Sequence, residues 1–391
     1  MEIKPAPLYN RPVAAAAMPE ASQHRWIRGA RALGRLFDQF VGAITIIPVL
    51  AVVSALPVLN LLSLGYLLEA SARVARSGRL RDAWVGLKGF ATLGKMVLAV
   101  WIAVLPVRLV HSYWRDAELI APGSANATIL RVILVILSVA VALHVLWAVV
   151  RGGKWRHFLW PAPLRLLRWI GAEWDWRKLW SSVREGFRQL RLWHFFRLGA
   201  LGFAGALLWL AIPVLILMAA SRFANPGVSF LTSLLGSILL GGAVLYIPFL
   251  QTRFALTGRF REFLEPGSAR RAFRKAPFAF WIALAATLLF ALPPYLLKIE
   301  LTPDEVAWLP NIVFVLLVFP ARALLGWSLA RAERRETPRI WVSRWAARLA
   351  ALPVVAVYVF FVWFSQYLNW HGSLGLLEQH AFLVPAPLLG L

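Results

Sequence analysis

Apolar residues run in long blocks along this chain, with no polar face between them. The blocks 40–68, 96–114, 132–150, 198–221, 223–252, 276–297, 306–330 and 349–370 are each interrupted by at most one Lys, Arg, Asp or Glu. A helix needs roughly 20 apolar residues to cross a hydrocarbon layer ~30 Å thick. Inside that layer each backbone N–H and C=O must be paired within the protein, so only helices or a closed barrel can span it. Barrel strands read as ~10-residue segments of alternating polarity. These blocks are apolar on every face. The pattern therefore predicts an all-α integral membrane protein with about eight transmembrane segments.

The first block is ambiguous. Pro48 and Pro57 interrupt it. As a single span, 40–68 puts the basic N-terminus on the outer side. As a hairpin of 40–56 and 58–75, turning at Pro57 and Asn60, it keeps that end inside, and the hairpin is the preferred reading. Each arm is then near the ~17-residue minimum for spanning, so the hairpin can also be re-entrant. Upstream, Arg25, Arg28, Arg31 and Arg35 alternate at helical spacing with Trp26, Ala30, Leu33 and Phe37. A basic helix with an aromatic anchor predicts an in-plane amphipathic helix over 23–39. The Pro-rich stretch 1–22 reads as a disordered tail without a cleavable signal peptide.

Charge orients the array. The formal net charge is +24 and 60% of residues are hydrophobic. In a soluble chain such a balance points to nucleic acid. Here the Lys and Arg collect in loops 69–95, 151–197, 253–275 and 331–348, while 111–130 and 298–305 are net acidic and 222–226 holds a single Arg. That alternation places the four basic loops in the cytoplasm. Orientation then accounts for most of the charge, and nucleic acid is not the expected partner. Anionic membrane lipids are, with protein partners left open. The loop 151–197 is rich in Trp as well as Arg, which suits an interfacial belt.

An internal repeat divides the chain. The segment YLLEASARVARSGRLRD from Tyr66 aligns without gaps on YIPFLQTRFALTGRFRE from Tyr246. Arg73, Gly78, Arg79 and Arg81 match Arg253, Gly258, Arg259 and Arg261. The register still holds at Trp101 and Trp281, Trp147 and Trp327, and Arg151 and Arg331. Shared Gly, Trp and Arg in one register are rare between unrelated apolar helices. Two parallel four-segment repeats follow, related by an axis along the membrane normal. The expected divisions are 1–39 (tail and amphipathic helix), 40–221 (first repeat, with loop 151–197), 222–370 (second repeat) and 371–391 (tail). Gly78 and Gly258 read as left-handed helix caps. Arg73, Arg79, Arg81, Arg253, Arg259 and Arg261 are either a structural elbow or a pair of anionic lipid headgroup contacts.

The pattern PVLNLLSLGYLLEASARVARSGRLRD, with RGGKWRHFLWPAPLRLLRW and YIPFLQTRFALTGRFREF later in the chain, resembles a family of bacterial multi-pass membrane proteins known only as a domain of unknown function. The resemblance covers roughly 40–335. It implies a bacterial cytoplasmic (inner) membrane location and no known activity. Many members follow the first exit helix with an acidic linker. Here that linker is basic, so no role for acids there carries over.

Catalytic chemistry is hard to find. Phosphate loops, Gly-rich dinucleotide turns and His-Glu-x-x-His are absent, as are helix-spaced His pairs. The chain has no cysteine, which excludes disulfides, thiolate metal sites and a Cys nucleophile. No cofactor or metal is expected, and the chain does not read as an enzyme. Polar groups inside the membrane are the remaining candidates: Asn60, Arg108, His144, Asn311 and Arg322. Three functions stay open. One is a non-catalytic scaffold or lipid-interacting component. Another is a transporter or channel built between the two halves. The third, a membrane enzyme acting on lipid-linked substrates, needs convergent carboxylates or His that the sequence does not obviously supply.

Overall fold

The computed structural model describes residues 20–151, 155–160, 162, 184, 191–297, 308–368, 372–374 and 376. Expectations for the tail 1–19, most of the loop 151–197, the segment 298–305 and most of the C-terminal tail lie outside these residues. Among the described residues all regular structure is helical. The helices are α1 (Glu20–Ala55), α2 (Asn60–Ser77), α3 (Leu87–Ile120), α4 (Ala125–Val150), α5 (Trp155–Leu159), α6 (Leu192–Ala220), α7 (Pro226–Thr257), α8 (Pro266–Lys275), α9 (Pro277–Leu297), α10 (Trp308–Glu333) and α11 (Trp341–Ser365). Seven of them are long and apolar enough to cross a membrane: α1 from Leu36, α3, α4, α6, α7, α10 from Pro310, and α11. The bent pair α8–α9 makes an eighth when taken as one span.

The first block is two helices rather than one. The chain breaks at Leu56–Leu59, where Val58 takes a positive φ of 67°, a strained conformation for a β-branched residue. Gln39 and Ala43 of α1 line the same cleft as Arg73 and Arg76 of α2. The arms therefore fold back as a hairpin, and the single-span alternative fails. α2 has nine uncharged residues before Glu69, about 14 Å of helix. At the other end of the hairpin α1 is continuous through 39–40, so 23–39 is the start of this helix.

Although α2 carries Glu69, Arg73 and Arg76, it is the central helix, buried along most of its length. It crosses α6 at Gly65 and Gly199. A β-carbon on Gly65 would lie 2.6 Å from the carbonyl carbon of Phe195, and one on Gly199 would lie 2.8 Å from that of Leu61. On its other side α2 meets Gly326 of α10, where a β-carbon would sit 2.9 Å from Cβ of Val74. Small residues let helix backbones approach in a lipid environment, where hydrophobic burial gives no net drive. α2 and α10 run in the same direction: Tyr66 stacks near Phe319, and Arg334 Nη2 donates to the carbonyl of Ser77. α6 and α7 form an antiparallel hairpin, with Gln251 Nε2 donating to the Gly202 carbonyl at 3.1 Å.

The matched segments share local geometry. Gly78 (φ 71°) and Gly258 (φ 72°) end α2 and α7 in the left-handed conformation, each N–H donating 2.7 Å to the carbonyl four residues back. Arg79 and Arg259 are extended, their N–H groups reaching Ser77 Oγ and Thr257 Oγ1. A 3₁₀ turn follows in each, Leu80–Ala83 and Phe260–Leu264. The Arg151 guanidinium stacks on Trp147 at 5.5 Å, and Arg331 on Trp327 at 5.4 Å.

The surroundings differ. The most apolar stretch of α10 is 56% buried against 11% for α4. α3 is unbroken, whereas the matching stretch bends by 118° between α8 and α9. Pro277 has no N–H to continue the helix ladder and clashes with the preceding turn; Val97 stands at its counterpart. Local correspondence therefore does not extend to equivalent packing of the two halves.

The basic segments meet at one end. Gly78 shares a recess with Arg331, Arg334 and Arg335, the Arg339 N–H donates to the Arg274 carbonyl, and His194 of α6 faces Glu69 of α2.

Candidate functional site

The six repeat arginines divide into two kinds. Arg73 and Arg253 are partly buried and paired within the protein. Arg73 Nε donates to Glu69 at 3.2 Å, and Arg253 Nε to Glu262 at 2.9 Å. Arg79 and Arg259 are exposed. Arg81 and Arg261 are exposed too, with side chains 76% and 83% accessible beside Asp82 and Glu265. The structural elbow describes Arg73 and Arg253; Arg79 and Arg259 are exposed, and Arg81 and Arg261 are exposed beside a carboxylate.

The intramembrane candidates do not form one cluster. Arg108 is exposed on α3, which packs mainly against α1 and α4. His144 Nε2 donates to the Phe158 carbonyl at 2.6 Å, tying α4 to α5. Asn60, Asn311 and Arg322 belong instead to the central pair α2 and α10. Asn60 is fully buried, and neither atom of its amide has a hydrogen-bond partner among the described residues. The parallel register puts it level with the half-buried Asn311. Arg322 is 1% exposed, several turns further along α10. A guanidinium there is costly, about 2.5–3.5 kcal/mol on insertion scales.

One cluster of arginines was not among the residues singled out from the sequence. The elbow between α8 and α9 opens a cleft of about 760 Å³ toward α7 and α11. α8 is the amphipathic helix PGSARRAFRK. Its Arg270 and Arg274 face Arg344 and Arg348 from the first turns of α11 across the cleft. Two guanidiniums are held by rings. Arg270 Nε donates 2.7 Å to the Tyr246 hydroxyl while its guanidinium lies over the ring. Arg348 stacks on Phe273 and Trp345 at 5.7 and 5.4 Å. Such contacts restrain a flexible cation without using most of its five N–H donors. Deeper in, Phe249, Leu284 and Val355 make the wall apolar. Among the described residues no carboxylate lines this cleft. Four cations above an apolar wall suit an anionic amphiphile. The signal was present in the basic loops 253–275 and 331–348. Reading 331–348 as loop hid the fact that Arg344 and Arg348 ride on a helix.

Groups of His, Asp or Glu arranged to hold a metal do not occur among the described residues. Comparison with known proteins finds no family model, no curated protein and no solved structure that matches this chain.

Proposed function

We propose that this is a multi-pass protein of a bacterial cytoplasmic membrane that binds an anionic phospholipid in the cleft between α8, α9 and α11 and acts as a non-catalytic, lipid-interacting scaffold. The observation that carries this reading is the cleft itself, with four arginines at its mouth and apolar residues below. Arg guanidiniums grip phosphate oxygens through paired, charge-assisted hydrogen bonds. The acyl chains then lie along Leu284 and Val355, continuous with the hydrocarbon layer. Ring stacking of Arg270 and Arg348 holds the donors in place before the lipid arrives, which lowers the ordering cost of binding. The basic end faces the cytoplasm, where the leaflet is anionic. The two matched segments are products of a duplication; their shared caps, turns and Trp–Arg stacks support this. One copy's following helices then became the lipid-facing pair α3–α4, and the other's entered the core as α9–α10.

The test is a thermal shift in detergent. Phosphatidylglycerol should raise the melting temperature and phosphatidylcholine should not. The Arg344→Gln/Arg348→Gln variant should melt normally without lipid and lose most of the phosphatidylglycerol shift. An undiminished shift in that variant removes the proposal.

A transporter is the second reading, favoured by the buried Asn60 amide and the buried Arg322. The chain lacks cysteine, so Asn60→Cys can be probed cleanly. Labelling by a membrane-impermeant maleimide would reveal a water path to α2; resistance to it would exclude one there.

A further inference from the structure

A second cleft, of about 830 Å³, lies in the first half. Its walls come from Gln39 and Ala43 of α1, from Arg73 and Arg76 of α2, and from the turn carrying Arg81 and Trp84. Its charge is organised by Glu69, whose side chain is 9% exposed. Arg73 Nε and Arg76 Nη2 both donate to Oε1 at 3.2 Å, while His194 Nε2 lies 3.5 Å from Oε2. A single carboxylate oxygen therefore holds two guanidiniums side by side. Arg81 adds a third cation beside Asp82, 4.0 Å away. Three arginines face two carboxylates, a surplus of one positive charge among these five groups. Each guanidinium carries five N–H donors, and Glu69 engages one from each of two. Trp84, its ring 4.5 Å from that of Phe319 and tilted by 45°, forms an apolar side with Leu87.

The second half does not repeat this arrangement. Phe249 stands where the first half has Glu69, Leu256 where it has Arg76, and Leu264 where it has Trp84. Arg253, the counterpart of Arg73, is taken up by Glu262. The cleft is thus specific to the first half, and it is separate from the lipid cleft of α8, α9 and α11.

We propose that this cleft binds a phosphate monoester, with Arg76 and Arg81 as its principal ligands and Arg73 held in support by Glu69. Paired guanidiniums match the oxygens of a terminal phosphate, and Trp84 with Leu87 receives the organic part. A lipid whose headgroup is a bare phosphate and a soluble phosphomonoester present the same chemistry, and the experiment separates them.

The experiment uses the full chain in phosphatidylcholine nanodiscs. Isothermal titration with glycerol 3-phosphate tests the soluble source. Incorporation of phosphatidate, read as retention in native mass spectrometry, tests the lipid source. Binding in either arm is expected. Arg76→Gln and Arg81→Gln should each weaken it about tenfold or more, the scale of a charge-assisted hydrogen bond. Both side chains are at least half exposed or nearly so (48% and 76% accessible), so the variants keep the fold. Glu69→Gln loosens the two guanidiniums that Glu69 holds side by side and should weaken binding severalfold. Arg344→Gln/Arg348→Gln should leave it unchanged, which separates this proposal from the lipid cleft. Three results overturn it: no binding in either arm, binding indifferent to Arg76→Gln and Arg81→Gln, or binding tightened by Glu69→Gln in a variant that melts like the parent.

Discussion

Replacing Gly65 with Ala tests whether α2 is held by close backbone approach. The new methyl would lie 2.6 Å from the carbonyl carbon of Phe195 and 3.0 Å from the amide nitrogen of Gly199, whereas ordinary contact begins at 3.4 Å. Both neighbours are backbone, so no side chain can rotate away. The carbonyl oxygen of Phe195 is closer still, so the helices must separate by at least about 0.8 Å. A gap of 0.5–1 Å forfeits a quarter to a half of each dispersion contact, and each contact contributes ~0.1–0.2 kcal/mol. For an interface of roughly 50 atom pairs the loss is about 2–4 kcal/mol. Ala is the better helix former by about 1 kcal/mol, so the net destabilisation is about 1–3 kcal/mol, in line with overpacked cores. The assay is reversible unfolding in mixed micelles with increasing SDS, followed by tryptophan fluorescence. Gly242→Ala is the internal control. That glycine is exposed on α7 with nothing within 4 Å of an added methyl, and its substitution should be neutral or mildly stabilising. If Gly65→Ala unfolds within about 0.5 kcal/mol of Gly242→Ala, the close crossing is not what holds α2, against the overpacking expected of a tight core.

Three further outcomes follow from the same geometry. Gly258→Ala meets no neighbour but must adopt φ 72°, so it should lose about 1–2 kcal/mol in the SDS assay through left-handed strain alone. A reporter fused after residue 22 should be active in the cytoplasm and one fused after residue 368 outside, because a hairpin at Leu56–Leu59 followed by seven further crossings separates the two positions; activity of both on one side refutes that path. Asn60→Leu should raise stability by about 1 kcal/mol if the amide is buried in a dry interface, since an unpartnered buried polar group costs about 1–3 kcal/mol; a loss of stability on substitution would instead point to a polar ligand or water at that position.

Length and uniform apolarity made the spanning helices legible, because nothing but a membrane tolerates such runs. Charge made their ends misleading. α11 starts at Trp341 and α4 at Ala125, earlier than 349 and 132, where a count of uncharged residues stops at Arg348 and Arg131. Long basic side chains near a helix end can reach the interface, so a charge need not end a span. The same effect concealed the lipid cleft, whose arginines belong to the turns that such a count discards. α2 shows the converse. Glu69, Arg73 and Arg76 made it read as an exit into a loop, yet its small residues make it the centre of the bundle. Proline was equally ambiguous. Pro48, Pro106, Pro213, Pro248, Pro320 and Pro353 lie within continuous helices, whereas the chain bends sharply at Pro277. Which prolines bend depends on neighbours that re-satisfy the freed carbonyl, and the sequence of one helix does not contain them. The paired glycine caps at Gly78 and Gly258 were legible. The unequal packing of the two matched segments was not, since identical local turns can feed helices into different surroundings.

The central claim is that the cleft between α8, α9 and α11 holds an anionic phospholipid on the cytoplasmic side. An electron cryomicroscopy map of the full chain in nanodiscs containing phosphatidylglycerol tests it most directly. The account predicts headgroup density among Arg270, Arg274, Arg344 and Arg348, with acyl density running down past Leu284 and Val355. A cleft filled by protein, or lipid chains packed there with no headgroup density at the four arginines, would contradict it.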